Sequence, residues 1–268
     1  MSTSALPVSE LAHELFVARA NRAPVAVPPS AREGGLDLDR AYAIEAELVQ
    51  LRLATGRQTV GRKVGFANKA MWRVLKLQTL VWAHMYDDTI QWAADGRAVW
   101  HTGQAIAPKI EPEIVFKLKK PVAGADPAEV LAGVEWLALG FEVIDCPFPD
   151  WQFQPVDFVA AFGLHAALIV GEPTPVTAET IPALAAQLAA FKVRLLRDDA
   201  LVEEGGGRNS LRSPALCLGE LARHAPLSPG DLVSSGTLTT STPISAGQVW
   251  RAEAEGLGVQ PLTLTLEN

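Results

Sequence analysis

Cysteine is scarce: two in 268 residues, Cys146 and Cys217, far apart in the chain. That excludes a disulfide framework and a thiolate zinc site, and it suits a reducing compartment. The five histidines are scattered without ligand spacing. His13-Glu14 begins like a zinc-protease helix, but Val17 stands where the second histidine is required. Basic residues are outnumbered, 23 against 30 acidic, and the net charge of −7 argues against a nucleic-acid or anionic-membrane surface. No apolar run is long enough to span a bilayer. Met1 to Ala20 lacks the basic-then-apolar order of a secretory signal, so a cytoplasmic protein is expected. There is no internal repeat and no low-complexity stretch. Gly205-Gly206-Gly207 is followed by no Gly-Lys-Ser/Thr, so it reads as a flexible turn rather than a phosphate loop.

What is present is apolar: 49% of the residues, enough for a sizeable core. Residues 8–20 and 37–55 read as helices, the second with Asp37 as N-cap and Gly56 as stop; Pro24 to Gly35 reads as loop. From Thr59 the pattern changes to short strands punctuated by Gly and Pro. Strands are expected over Val60–Phe66, Val81–Tyr86, Ala166–Val170, Asp231–Ser235, Gln248–Ala254 and Val259–Leu266. Asn68 caps a short helix to Lys76, Pro182–Ala190 is helical, and a hairpin turns at Asp198-Asp199. Ser213-Pro214 reads as an N-cap/N1 pair for a helix to His224. The expectation is an α+β protein: a helical N-terminal region, residues 1–58, leading into a β-rich body, residues 59–268, as one compact unit.

The most informative stretch is Pro108-Lys109-Ile110-Glu111-Pro112-Glu113-Ile114-Val115-Phe116. On a strand, side chains at i and i+2 point the same way, so Glu111 and Glu113 converge. Two adjacent carboxylates repel unless a cation or a shared proton compensates, and burial sharpens the conflict. An edge strand with a wet polar face is the plain alternative, and Pro112 fits an edge. Glu142, deep inside the apolar run Val134 to Asp145, adds a third carboxylate in a similar setting. Three such groups would make an all-oxygen site suited to a hard divalent cation such as Mg²⁺ or Mn²⁺.

Five blocks, in order, resemble the fumarylacetoacetate hydrolase superfamily, and within it the 2-oxopent-4-enoate hydratase and 4-oxalocrotonate decarboxylase branch. They are Gly61-Arg62-Lys63-Val64-Gly65-Phe66, His84-Met85-Tyr86-Asp87-Asp88, Glu111-Pro112-Glu113-Ile114, Glu142-Val143-Ile144-Asp145 and Ser235-Gly236-Thr237-Leu238-Thr239, followed by Glu255-Gly256-Leu257-Gly258. Each block alone is common; the ordered set is not. The resemblance implies a mixed β-sandwich roll after the helical leader. It also implies Mg²⁺ or Mn²⁺ held by Glu111, Glu113 and Glu142, and a homo-oligomer able to associate with a related decarboxylase or hydratase.

The implied activity is a metal-dependent hydratase adding water to a 2-hydroxy-dienoate or 2-oxo-alkenoate from aromatic meta-cleavage, with decarboxylation or C–C hydrolysis as the alternative. A 2-oxo carboxylate chelates such a metal through two oxygens, and the metal acts as Lewis acid. Lys63 is expected to pair with the substrate carboxylate or relay a proton, against the plain reading of an edge-strand surface lysine. Asp87 or Asp88 is expected as acid or base, against a turn or cap role. Ser235, Gly236 and Thr237 would offer backbone N–H groups to substrate.

Three features depart from the family pattern: Arg62, the apolar run Ala160-Ala161-Phe162-Gly163-Leu164 before His165, and the tryptophans Trp72, Trp82, Trp136 and Trp151. His165 is a candidate polar contact to substrate, or a structural histidine. The tryptophans line a pocket or pack the core. A non-catalytic scaffold subunit is the reading from outside enzymology, and the intact acidic triad argues against it.

Overall fold

Asp37 opens the second helix as its sequence suggests, its carboxylate accepting the amide N–H of Arg40 at 2.8 Å. In the computed structural model, which describes residues 6–268, two helices come first: α1 (Val8–Asn21) and α2 (Leu38–Ala54). The linker between them is loop apart from one 3₁₀ turn at Pro29–Ala31. Next come β1 (Thr59–Gly65), α3 (Lys69–Leu75), β2 (Val81–Tyr86), β3 (Ile90–Trp92) and β4 (Arg97–His101). Asn68 caps α3 by accepting from Ala70 N at 3.0 Å.

The two long strands β5 (Pro108–Leu118) and β6 (Val134–Asp145) flank α4 (Pro127–Leu131). After them run α5 (Pro155–Ala160), β7 (His165–Val170), β8 (Thr174–Pro175), α6 (Ile181–Ala190), β9 (Lys192–Arg197) and β10 (Ala200–Gly206). The chain closes with α7 (Pro214–His224), β11 (Leu232–Ser234), β12 (Thr242–Pro243), β13 (Val249–Glu255) and β14 (Leu262–Glu267). No helix among the described residues is long and apolar enough to cross a membrane.

The strands form two mixed sheets, as the α+β expectation requires. One has the order β2-β1-β11-β5-β6-β7-β3, with β12 beside β5 and β8 beside β6; the other runs β10-β9-β13-β14-β4. Their inner faces bury a core that includes Ile110, Ile114, Phe116, Phe141, Val193, Trp250 and Leu264. A second cluster joins α1 and α2 to the β-rich body: Leu11, Leu15, Ile44 and Leu48 pack with Phe158, Phe162 and Leu164. The helical leader therefore shares a core with residues that approach the candidate site.

Several local expectations change. β5 is not an edge strand, because β11 and β12 lie on one side and β6 on the other. Pro112 is tolerated there since its carbonyl accepts from Leu238 N at 2.9 Å, in the gap between β11 and β12; the missing N–H faces the same gap and takes no bond from β6. Ser213 precedes α7 as proposed, but its hydroxyl makes no capping bond and Ser213 Oγ is buried without a partner among the described residues.

Gly205-Gly206-Gly207 is not a flexible turn. Gly205 and Gly206 end β10, and a Cβ on Gly205 would stand 1.9 Å from Leu238 O, one on Gly207 1.9 Å from Leu188 O. The glycines are there for close backbone packing.

Candidate active site

Register brings the acidic side chains together. β5 and β6 pair antiparallel with Glu111 opposite Glu142, and Glu113 opposite Gly140. Alternation sends Ile110, Ile114 and Phe116 into the inter-sheet core and Glu111 and Glu113 to the other face, where Glu142 joins them. One carboxylate oxygen from each of the three lies within 4.8 Å of the other two. Glu113 and Glu142 are fully buried, while Glu111 is partly exposed and marks the side open to solvent.

The electrostatics are divided. Burial, with Glu142's charge behind it, pushes the Glu111 carboxyl up to about 7 against the pull of Lys63 and Lys109. Burial and the two neighbouring carboxylates push Glu113 well above the ordinary carboxyl range. Burial acts the same way on Glu142, but Lys63 and His165 outweigh it and hold that carboxyl below the ordinary range.

Two of the three carboxylates, Glu142 and Glu113, are held by named groups. Lys63 is 1% exposed, on an interior strand, and its Nζ lies 3.0 Å from Glu142 Oε1 and donates to Gly163 O at 3.0 Å. Its ammonium also sits 4.7 Å from the centre of the Phe158 ring. His165 bridges Glu142 and the loop after β2: Nδ1 is 2.8 Å from Glu142 Oε1 and Nε2 is 2.9 Å from Thr89 Oγ1. Glu113 Oε2 accepts from the Ser234 hydroxyl and from Gly236 N–H, the latter at 2.9 Å.

The remaining atoms provide the test for a metal. Glu113 Oε1 and Glu142 Oε2 are buried and have no hydrogen-bond partner among the described residues. Orphaned, buried, converging carboxylate oxygens with no nitrogen or sulfur donor fit a hard divalent cation, Mg²⁺ or Mn²⁺, and not a structural zinc.

Other residues singled out from the sequence lie elsewhere or are otherwise engaged. Asp87 is exposed and accepts from Gln58 N at 3.1 Å; Asp88 pairs with Arg52 and, at 3.3 Å, with Arg57. Neither carboxylate is among the converging acids. Ser235 donates to Ile114 O at 2.8 Å, the Gly236 N–H is committed to Glu113, and Thr237 donates to Thr239 O at 2.9 Å. The turn thus supports the ligand strand, with Gly236 at φ +91° where a side chain would be strained.

Arg62 points away from Lys63, as alternation on β1 demands, and lies 5.2 Å from the centre of the Trp82 ring. The four tryptophans do not gather: Trp72 donates to Phe66 O, Trp82 packs on Tyr42, Trp136 meets Trp92, and Trp151 carries the Lys109 ammonium over its ring. Glu14 is bound to Arg32, which removes His13-Glu14 as a free pair.

Ser234, Thr89, Gly163 and Phe158 were not found by reading the sequence. Their partners are distant along the chain, and no local pattern marks them.

With this geometry in hand, the comparison with known proteins is specific. Residues 68–264 match the family model described as fumarylacetoacetate (FAA) hydrolase, C-terminal. The chain belongs to this family. Among its FAA-hydrolase relatives, a 2-hydroxypent-2,4-dienoate hydratase of Pseudomonas putida is 28% identical over 80% of this chain and 94% of its own length. A 4-oxalocrotonate decarboxylase of a Pseudomonas species is also 28% identical, over 90% and 93%. The fold matches a solved 4-oxalocrotonate decarboxylase from Pseudomonas putida G7, complexed with magnesium and adipate, at TM-score 0.85 and 22% identity over 97% of each chain. The family model and these sequence relatives together place the chain in the hydratase and decarboxylase branch of the FAA-hydrolase superfamily.

Proposed function

We propose that the protein is a divalent-metal-dependent lyase acting on a conjugated 2-oxo acid or its 2-hydroxy-dienoate tautomer, and that decarboxylation of a 2-oxo-enedioate is its reaction. The observation that carries the enzymatic reading is the convergence of Glu111, Glu113 and Glu142 with two orphaned oxygens. A bound Mg²⁺ or Mn²⁺ would supply Lewis-acid polarisation of a 2-oxo group and an anchor for the neighbouring carboxylate.

The chain's own residues do the rest. Glu111, Glu113 and Glu142 would hold the ion, and Ser234 and the Gly236 N–H fix which oxygen Glu113 presents. Lys63 spends two of its three N–H groups on Glu142 and Gly163. The third is left for a substrate oxygen. Phe158 and the apolar run Ala160–Leu164 keep water away from that ammonium.

What favours decarboxylation over hydration is the shortage of a free acid or base beside the triad. His165 is bound at both nitrogens, Ser234 is committed to Glu113, and Asp87 and Asp88 are engaged elsewhere. Loss of a distal carboxylate needs no activated water: the C–CO₂⁻ bond breaks, carbon dioxide leaves, the electron pair moves through the conjugated chain to the 2-oxo oxygen, and that oxygen takes a proton from solvent to give the 2-hydroxy-dienoate. The structural match to a decarboxylase points the same way. Hydration is the second reading, favoured by the sequence relative named a hydratase.

The deciding experiment follows ultraviolet absorbance with Mg²⁺ or Mn²⁺ on two substrates, 2-oxohex-3-enedioate and freshly made 2-hydroxypenta-2,4-dienoate, with product identification. Metal-dependent carbon dioxide release from the first supports the proposal. A 4-hydroxy-2-oxo acid from the second, without carbon dioxide from the first, gives the hydratase. No turnover of either by metal-loaded protein would sink both readings.

A further inference from the structure

A cavity of about 620 Å³ lies between α1, the C-terminal end of α2 and the 3₁₀ turn Thr102–Gln104 that follows β4, and none of the three glutamates lines it. It is of the size that small-molecule sites have. Four arginines line it, Arg19, Arg22, Arg52 and Arg57, against two aspartates. The aspartates do not balance them. Asp145 turns its carboxylate onto the N–H groups of Ile106 and Ala107, and Asp88 divides itself between Arg52 and Arg57.

Arg19 and Arg22 hydrogen-bond only to backbone carbonyls, of His165 and Gly103, among the described residues, and the Arg19 guanidinium also lies 4.6 Å from the centre of the Phe162 ring. Arg52 Nε is buried with no partner among the described residues. Burial and the like charge of Arg52 pull the Arg19 guanidinium down to about 10, as expected for a cation whose counter-ion is not supplied by the protein. Part of the remaining wall is apolar, with Leu15, Trp100 and Phe162, beside the uncharged polar groups of Thr55, Thr89 and Gln104. A bare inorganic anion would satisfy the arginines and leave that hydrocarbon against water.

We propose that this cavity is a second binding site, which takes a small carboxylate with an apolar body, its head on Arg19 and Arg52 and its body against Leu15, Trp100 and Phe162. The site is separate from the metal centre: Thr89 lines the cavity, and His165, bonded to Thr89 and to Glu142, stands between the two. Guanidinium groups favour planar carboxylates because two parallel N–H bonds can form.

The test uses the full-length, metal-free protein, in which the repelling glutamates give an anion no reason to bind at the centre. Hexanoate, hexanamide and inorganic phosphate are titrated by calorimetry. Saturable one-site binding of hexanoate is expected, with hexanamide about tenfold or more weaker, since a charge-assisted bond is lost. Arg19→Met, which keeps an apolar stem, should weaken hexanoate about tenfold or more, whereas Glu111→Gln should change it less than about twofold. If Arg19→Met does not fold, Arg22→Gln at the exposed rim should still cost a few-fold. Absence of saturable hexanoate binding overturns the proposal. So does tighter binding of phosphate than of hexanoate, or loss of binding in Glu111→Gln with Arg19→Met unaffected.

Discussion

The two faces of β5 are both largely buried and obey opposite chemistry. Ile110, Ile114 and Phe116 face the inter-sheet core and are wholly removed from water. On the other face Glu113 is equally removed, beside Glu111 and across from Glu142. Burial stabilises the first set by roughly 1.5–3 kcal/mol per side chain. It works against the second, since three carboxylates desolvated together oppose folding until protons or a cation compensate. One strand therefore supplies both the stability of the sheet and a local deficit that protons or a bound cation remove.

Substitution on either face should separate the two. The largest effect is expected from Glu113→Gln. Metal-dependent turnover should fall by more than about 100-fold, because even the outer partners of metal ligands are worth 10–100-fold. The metal-free protein should melt no lower than the parent, since an amide carries no charge to desolvate or to set against its neighbours at any pH. Full retained activity would show that Glu113 is not a ligand. Two atoms of backbone away in effect but facing the core, Ile114→Ala should behave in reverse: a loss of about 2–5 kcal/mol in denaturant unfolding. Mn²⁺ affinity of its folded fraction should be nearly unchanged. A comparable loss of metal affinity would mean the faces are not independent.

The smallest effect is a pH dependence. Glu111 is raised in the folded protein from 4.5 to about 7, and Glu113 is raised too. The folded, metal-free chain thus holds more protons than the unfolded chain above pH 4.5. The stability these groups contribute is present below that pH and is lost as pH rises through about 7. Glu142, shifted downward, acts below that window. Metal-free protein should accordingly melt a few degrees lower at pH 7.5 than at pH 5.5 as far as this site is concerned. Saturating Mn²⁺ should reverse the difference, because binding to the folded state adds stability. A melting temperature insensitive to Mn²⁺ at pH 7.5 would contradict the compensation argument.

The acidic strand was legible in the sequence because a two-residue period fixes which side chains share a face, whatever the sheet around them. Caps and stops at Asp37, Asn68 and Lys76 were legible for a similar reason: the physics is local. The supports were not. Ser234 meets Glu113 across 121 residues and His165 meets Thr89 across 76, and no spacing rule reaches that far. Asp87 and Asp88 looked available because they follow an apolar strand. A 3₁₀ turn there directs their carboxylates to Gln58 N and to Arg52 and Arg57 instead. The glycine triplet at 205–207 was read by composition, which does not tell a supple turn from a backbone pressed against its neighbour.

The brace that Ser234 and Gly236 place on Glu113 also constrains how the protein is made. A nascent chain that has left the ribosome with all three acids still lacks the two groups that aim one of them, 121 and 123 residues downstream of it. Such distant pairings form late, since a long loop must close before they repay it. Ion capture should therefore come after synthesis rather than guide it, and uptake of Mn²⁺ would report a finished molecule.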